Sequence, residues 1–284
     1  MRVVAAGYEL RGALETGRSG RIGLVPTMGA LHDGHMALIA AARSKSEVVV
    51  LSIFVNPLQF GPGEDFDRYP RAEEHDLRLA AQGGVDVVFR PPTSEIYSPD
   101  RSAMVTVNAG PLGNVLEGAA RPGHFDGVLT VVAKLFNLVR PDGAWFGRKD
   151  AQQLALVKRM VADLKFHVEI HACPTVRAAD GLAISSRNAL LSPPERRRAT
   201  VLHRALLAGR AALEGGARAE AVEEAMAGVV ARERAASLDY VRVVDPDTFG
   251  APRNGGPALL VGAIRVGATR LIDNLLWPSG AGEG

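Results

Sequence analysis

Two histidines bracket an aspartate and a glycine in His32-Asp33-Gly34-His35, and that spacing is the first sign of chemistry in the chain. They close the segment Pro26-Thr27-Met28-Gly29-Ala30-Leu31-His32-Asp33-Gly34-His35, which follows a β-branched run and opens a helix-like stretch. Main-chain N–H groups at a helix N-terminus lack intrahelical partners and favour anions. Imidazoles three residues apart would project there toward one anion, and Gly34 would let the backbone approach it closely. Such a pair can donate to phosphate oxygens and stabilise the charge that builds as phosphorus is attacked. By spacing alone, His-x-x-His is more often a polar surface pair or half a metal site. The strand–turn–helix setting favours the phosphate reading. Structural zinc wants four ligands, and no cysteine or third close histidine follows.

Three other segments carry suitable groups. Asn56-Pro57-Leu58-Gln59-Phe60 ends a nearly all-apolar run over residues 47–55, where open α/β sheets place their ligands. The Gln59 amide is both donor and acceptor and suits a hydroxyl or carboxylate, the plainer alternative being a turn that satisfies itself. Gly147-Arg148-Lys149-Asp150 lies between a short strand and a helix. Lysine there is a point charge for phosphate and aspartate a helix cap or ribose acceptor, against the plain reading of a solvated charge run. Ser185-Ser186-Arg187 follows an Asp180-Gly181 turn and offers two hydroxyls and a guanidinium, a phosphate clamp if it is not simply a capped loop. Glu64, Asp65 and Asp67 read as a solvated acidic loop, and Cys173, beside Pro174, as an inert thiol.

The elements that must position these groups alternate. Strand candidates cover residues 21–25, 47–55, 85–89, 143–146 and 167–172, and helices are expected from 34–43 and over 73–81, 125–139 and 151–164. Strands separated by helices predict an α/β fold, a Rossmann-like doubly wound parallel sheet, over residues 1–175. Past Pro174 the pattern changes. Pro193-Pro194-Glu195 starts a helix expected over 195–214, a second is expected over 219–236, and short strands over 238–244, 258–261 and 269–272. Residues 176–284 are therefore expected to form a smaller C-terminal α+β domain, with a loop at Asn254-Gly255-Gly256-Pro257 and a disordered tail over 279–284.

Composition sets outer bounds. The 284 residues are 47% hydrophobic and 23% charged, which fits a packed globular chain. Thirty-three Lys+Arg against 31 Asp+Glu leave +2, too balanced for a protein that lives on nucleic-acid backbones. One cysteine excludes an intramolecular disulfide and fits a reducing compartment. No apolar run approaches the roughly 18 residues of a membrane span, and Glu9, Arg11 and Glu15 stand where a secretory signal would be apolar. A cytoplasmic location is expected.

The segment over residues 26–35 resembles the HxGH motif of the nucleotidyltransferase superfamily. Five more segments narrow the resemblance to the pantothenate synthetase (pantoate–β-alanine ligase) family. They are Ser52-Ile53-Phe54-Val55-Asn56-Pro57-Leu58-Gln59-Phe60; Tyr69-Pro70-Arg71; Glu117-Gly118 through Arg121-Pro122-Gly123-His124-Phe125; Phe146-Gly147-Arg148-Lys149-Asp150-Ala151-Gln152-Gln153-Leu154; and Asp180-Gly181-Leu182-Ala183-Ile184-Ser185-Ser186-Arg187-Asn188. The resemblance implies ATP-dependent ligation of (R)-pantoate and β-alanine through a pantoyl adenylate, with release of pyrophosphate and AMP. It implies phosphate contacts from His32, His35, Lys149, Ser185, Ser186 and Arg187, and an ATP site that also includes Met28, Gly29, Gly147, Asp150 and Val176. Gln59, Gln153 and Asn56 are then expected to hold pantoate, Asp76 to meet magnesium through water, and Arg121 and His124 to support the pocket without reacting. The 185–187 loop resembles a mobile element that closes over the nucleotide, and a homodimer is implied, with no nucleic acid or membrane as partner.

Three positions depart from the family pattern: Ala151 where tyrosine is common, Arg148, and His75 beside Asp76. Two other readings stay open. A related nucleotidyltransferase would want a second basic phosphate pocket, where neutral Gln59 and Gln153 stand. A nucleotide sensor without turnover would show a broken motif set, and all three phosphate motifs are complete.

Overall fold

The computed structural model describes residues 1–15, 20–98, 100, 104–253 and 256–278. The expected tail over 279–284 and Asn254-Gly255 of the expected loop lie outside them. The chain packs as two units: Met1–Arg148 with Leu156–Cys173, and Lys149–Ala155 with Pro174–Gly284.

The first unit is built on six parallel strands, β1 (Arg2–Val4), β2 (Ile22–Thr27), β3 (Val48–Ile53), β4 (Val87–Phe89), β5 (Gly143–Gly147) and β6 (Glu169–Cys173), in the order β1-β4-β3-β2-β5-β6. Its helices are α1 (Gly7–Glu15), α2 (Asp33–Arg43), α3 (Glu73–Gln82), α4 (Thr93–Ile96), α5 (Glu117–Ala120), α6 (His124–Val139) and much of α7 (Ala151–Leu164). Successive strand residues point to opposite faces. Val25, Val49, Leu51 and Val88 therefore share one apolar cluster with Leu38, Ile39 and Ala42 of α2 and Ala80 of α3. Leu24 and Val50, one residue out of phase, are equally buried on the other face, where α6 packs on β2 and on α1. Burial of both faces explains why the 47–55 run reads as almost continuously apolar. Strand β1 and helix α1 were not foreseen: β1 is a three-residue strand, paired only through its register with β4.

The second unit stacks α9 (Val201–Glu214) and α10 (Ala219–Ala231), preceded by the short α8 (Pro193–Arg198), on an antiparallel sheet of β7 (Ala236–Val244), β8 (Ala258–Val266) and β9 (Thr269–Trp277). The single helix expected over 195–214 is broken at Ala199-Thr200. The Thr200 hydroxyl donates back to Arg197 O at 2.8 Å, a side-chain bond that competes with the helix ladder. The second expected helix stops at Ala231, and Ala236 already pairs with Val266. Strands β8 and β9 are each nine residues, more than twice the expected length, because a two-residue turn with Gly267 at φ +57° joins Val266 to Thr269.

Candidate active site

Strand β2 lies between β3 and β5, where the strand order turns from one direction to the other. In parallel sheets the crevice beyond the strands' C-terminal ends at such a point is where ligands bind. Three motif segments leave those ends: 28–32 after β2, 56–59 after β3 and Gly147-Arg148 at the end of β5.

His32 is the N-cap of α2, with extended backbone (φ −147°, ψ 179°), and its Nδ1 accepts from Gly34 N at 3.1 Å. An accepting Nδ1 leaves the proton of the neutral ring on Nε2, so the His32 donor is Nε2. The His35 ring stacks on it, centroids 4.0 Å apart and planes 30° apart. Both imidazoles thus share the N-terminal end of α2. The space expected at Gly34 for a ligand is taken by the His32 ring itself, since a Cβ there would stand 2.9 Å from His32 Cε1.

The turn before this helix is held by an acid 46 residues downstream. Gly29 (φ +80°) and Ala30 (φ +50°) are consecutive left-handed residues, and the alanine is disfavoured there. Successive N–H groups in such a turn form an anion-binding concavity. The anion is Asp76, 2% exposed, whose Oδ2 accepts from Ala30 N at 2.8 Å and Oδ1 from Leu31 N at 2.7 Å. Gly29 is required here twice over, because a Cβ would also press on Asp76 Oδ2 at 2.9 Å. Both carboxylate oxygens are therefore engaged by backbone, and no group of three or more His, Cys, Asp or Glu among the described residues could hold a metal. This donor set does not fit a magnesium ion held by the protein at Asp76. It fits an anchor for the turn.

Asn56 caps the 3-10 turn Pro57–Gln59 and is 1% exposed. Its Oδ1 accepts from Leu58 N at 3.3 Å and from Tyr97 Oη at 2.7 Å. Its Nδ2 donates to Gly127 O at 3.0 Å and to Gln59 Oε1 at 3.1 Å. Four bonds exhaust what a primary amide makes in such a site, so Asn56, expected to touch pantoate, has nothing left for a substrate. Gln59 differs. Its Nε2 meets only the Met28 thioether, at 3.1 Å, among the described residues. Met28, expected at the adenosine, thus lies against this amide.

The Gln59 main chain is clamped as well. Its carbonyl accepts from Arg121 Nη2 at 3.0 Å and from His124 Nδ1 at 2.7 Å. Arg121 also reaches His124 Nε2 at 3.1 Å, and an arginine can only donate, so the His124 proton sits on Nδ1. Burial, with the Arg121 charge beside it, lowers the His124 pKa to about 4 against the hydrogen bond to Gln59, so the ring is neutral at pH 7. Glu64, read from sequence as solvated loop, pairs with both Nε and Nη2 of Arg121, at 2.8 and 2.5 Å. Burial would raise its pKa, but the Arg121 hydrogen bond and charge outweigh this and hold it below the ordinary range. Burial raises the Cys173 thiol, in keeping with an inert residue.

In the second unit, Lys149 Nζ lies 3.5 Å from Asp150 Oδ1, and Lys149 O accepts from Asn274 Nδ2 at 2.8 Å. Gln153 is half-buried on α7, while its neighbour Gln152 is buried. Val176 O accepts from Ile184 N at 2.9 Å, closing a small hairpin whose Asp180-Gly181 turn has Gly181 at φ +88°. Arg177 pins this hairpin by donating to both Asp273 oxygens, at 2.6 and 3.0 Å, and Arg196 grips Asp180 at 2.6 and 3.2 Å. Ser185 caps the 3-10 turn Ser186–Leu190 by accepting from Arg187 N at 3.3 Å, a bond that uses its oxygen and not its hydroxyl proton. The pair Arg177–Asp273 was not anticipated, since 96 residues separate its members and no local pattern joins them. Nor was Tyr97, a tyrosine that is merely apolar by pattern.

A family model described as pantoate-beta-alanine ligase matches residues 2–276. The chain belongs to this family. The pantothenate synthetase of Acidothermus cellulolyticus is 56% identical over 273 residues, covering 94% of this chain and 88% of the relative. Among solved structures, pantothenate synthetase from Thermus thermophilus matches with TM-score 0.90 and 48% identity over 97% of this chain and 99% of the other. The pantoate–β-alanine ligase of Francisella tularensis, solved complexed with beta-gamma ATP and beta-alanine, matches with TM-score 0.81 and 33% identity over 99% of each chain. A pantoate–β-alanine ligase forms pantothenate in an ATP-dependent reaction, and that is the activity of this chain. The expected fold is likewise that of the ligase structures, a parallel sheet with flanking helices and a separate small antiparallel sheet.

Proposed function

We propose that these residues carry out the ligation in two displacements. A carboxylate oxygen of (R)-pantoate attacks the α-phosphorus of ATP, the bond to the bridging β-phosphate oxygen breaks, and pyrophosphate leaves. The amine of β-alanine then attacks the acyl carbon of pantoyl adenylate, the bond to AMP breaks, and the nitrogen loses a proton. No side chain need become covalently attached. What the protein supplies is position and charge stabilisation.

The observation that carries this reading is the stacked His32–His35 pair at the N-terminus of α2, with the His32 cap leaving its Nε2 as donor. His32 and His35 act on phosphate oxygens, as do Lys149, Ser185, Ser186 and Arg187. Met28, Gly29, Gly147, Asp150 and Val176 line the rest of the nucleotide site. Gln59 and Gln153 orient pantoate, and Asn56 acts by holding Gln59. Magnesium accompanies the triphosphate as part of the substrate. A homodimer and a cytoplasmic location belong to the same proposal and rest on the family resemblance; no helix among the described residues is long and apolar enough to cross a membrane.

Incubation with ATP, magnesium, pantoate and β-alanine, with single omissions, tests the order. Pyrophosphate released without β-alanine supports the adenylate, and release that needs β-alanine refutes it. His35→Ala should lower the first-step rate by orders of magnitude in a folded protein. Near wild-type pyrophosphate release by that variant would remove His35 from the mechanism.

A further inference from the structure

Which end of the Gln59 amide faces the substrate is decided three residues away, at Asn56. Asn56 sits between two backbone groups whose roles cannot be exchanged: Leu58 N–H can only donate and Gly127 C=O can only accept. That forces Oδ1 toward Leu58 and Nδ2 toward Gly127. With Nδ2 so placed, only an acceptor can lie beside it, so Gln59 turns Oε1 to Asn56. Tyr97 completes the arrangement. Its hydroxyl donates to Asn56 Oδ1 at 2.7 Å, and its ring, 2% exposed, lies 6.1 Å from the Phe54 ring and under the Lys134 ammonium, 5.6 Å from the centroid. The Gln59 Nε2 hydrogens are left facing a thioether, a weak acceptor, at a side chain only 9% exposed. A nearly buried amide donor with no oxygen partner among the described residues is a donor kept for a ligand.

We propose that Tyr97 is a positioning residue that acts through Asn56 on Gln59, so that Gln59 presents N–H groups and selects an acceptor oxygen, carboxylate or hydroxyl, on the acid substrate. This rests on the reading that Gln59 meets pantoate. Tyr97 itself touches no substrate. Its hydroxyl stops the Asn56 plane from tilting, and any tilt is passed to the Gln59 amide through the 3.1 Å bond.

The test is a double-mutant comparison by steady-state kinetics of pyrophosphate release. Tyr97→Phe keeps the ring, and so the packing, and should raise the KM for pantoate by roughly five- to tenfold, the worth of one oriented hydrogen bond, with the KM for ATP unchanged. In a Gln59→Ala background, Tyr97→Phe should have no further effect on the KM for pantoate. Thermal unfolding of each variant checks that the fold persists. A Tyr97→Phe enzyme with wild-type KM for pantoate overturns the proposal, as does an equal rise in both backgrounds or a parallel rise in the KM for ATP. If instead Gln59→Ala alone leaves the KM for pantoate unchanged, the placement of pantoate at Gln59 fails first.

Discussion

Gly127→Ala puts the packing behind the acid pocket to its sharpest test. Gly127 lies in the first turns of α6, where Phe125, Val128, Leu129 and most later residues are buried. In an exposed helix the substitution would gain about 1 kcal/mol of propensity. Here a Cβ would stand 2.7 Å from Gln59 N, and closer still to the carbonyl carbon and oxygen of Leu58. Ordinary contact needs about 3.5 Å, so helix and turn must part by about 0.8 Å or more. The obstacle is backbone on both sides, and no rotamer relieves it. Overpacking of this kind costs about 1–3 kcal/mol, which cancels or exceeds the propensity gain. The larger effect falls on function. Displacing the 57–59 turn also stretches the Asn56–Gly127 bond, and a misplacement of about 1 Å costs on the order of 100-fold in rate. We expect kcat/KM for pantoate to fall roughly 30- to 100-fold, with the stability of the folded protein equal or lower. Pyrophosphate-release kinetics with pantoate varied, beside denaturant unfolding, give both numbers. A variant that is about 1 kcal/mol more stable, with unchanged KM for pantoate, would show that α6 does not press on this turn.

Other expectations follow from the same geometry. Asp76→Asn places an amide against two backbone donors it cannot both satisfy, so it should destabilise the protein by about 2–4 kcal/mol and slow adenylate formation. Raising magnesium should restore neither, whereas a magnesium ligand would show unchanged stability and a steeper magnesium requirement in a titration of the first step. The His124 pKa lies near 4 in the folded protein against 6.5 unfolded, so the unfolded chain binds more protons between those values. Stability is full above pH 6.5 and declines as pH falls toward 4, by at most about 3 kcal/mol from this ring. Denaturant unfolding from pH 7.5 to 4.5 should show a shallower decline for His124→Asn than for wild type, and identical slopes would refute the assignment. Protonation also puts a cation beside Arg121, so the KM for pantoate should rise in wild type below about pH 5.

Most of what was legible in the sequence is local. The β2–turn–α2 passage could be read because a short apolar run leads through a glycine-containing turn into a helix-like stretch there, and the two histidines fall at the helix start. The reading located the residues but misjudged some of their tasks. Gly34 makes room for the His32 ring and not for the ligand, Asn56 spends all its bonds inside the protein, and Glu64 is paired and not solvated. For Asn56 and Glu64 the deciding partner is remote: Gly127 lies 71 residues from Asn56, and Arg121 lies 57 from Glu64.

By itself the sequence determined the parallel α/β class, the family, and the places where chemistry-bearing groups leave the strands, because short-range periodicity and motif spacing encode those directly. Tertiary structure alone decided how the groups are aimed. The order β3-β2-β5 brings three loops to one edge, Asp76 reaches back 46 residues to fold the 29–31 turn, Tyr97 bonds the Asn56 that holds the Gln59 side chain, and Arg121 holds the Gln59 carbonyl. Hydrogen bonds demand angstrom placement between segments that are independent in sequence. Only the packed sheet, with α6 seated against the 57–59 turn, provides it.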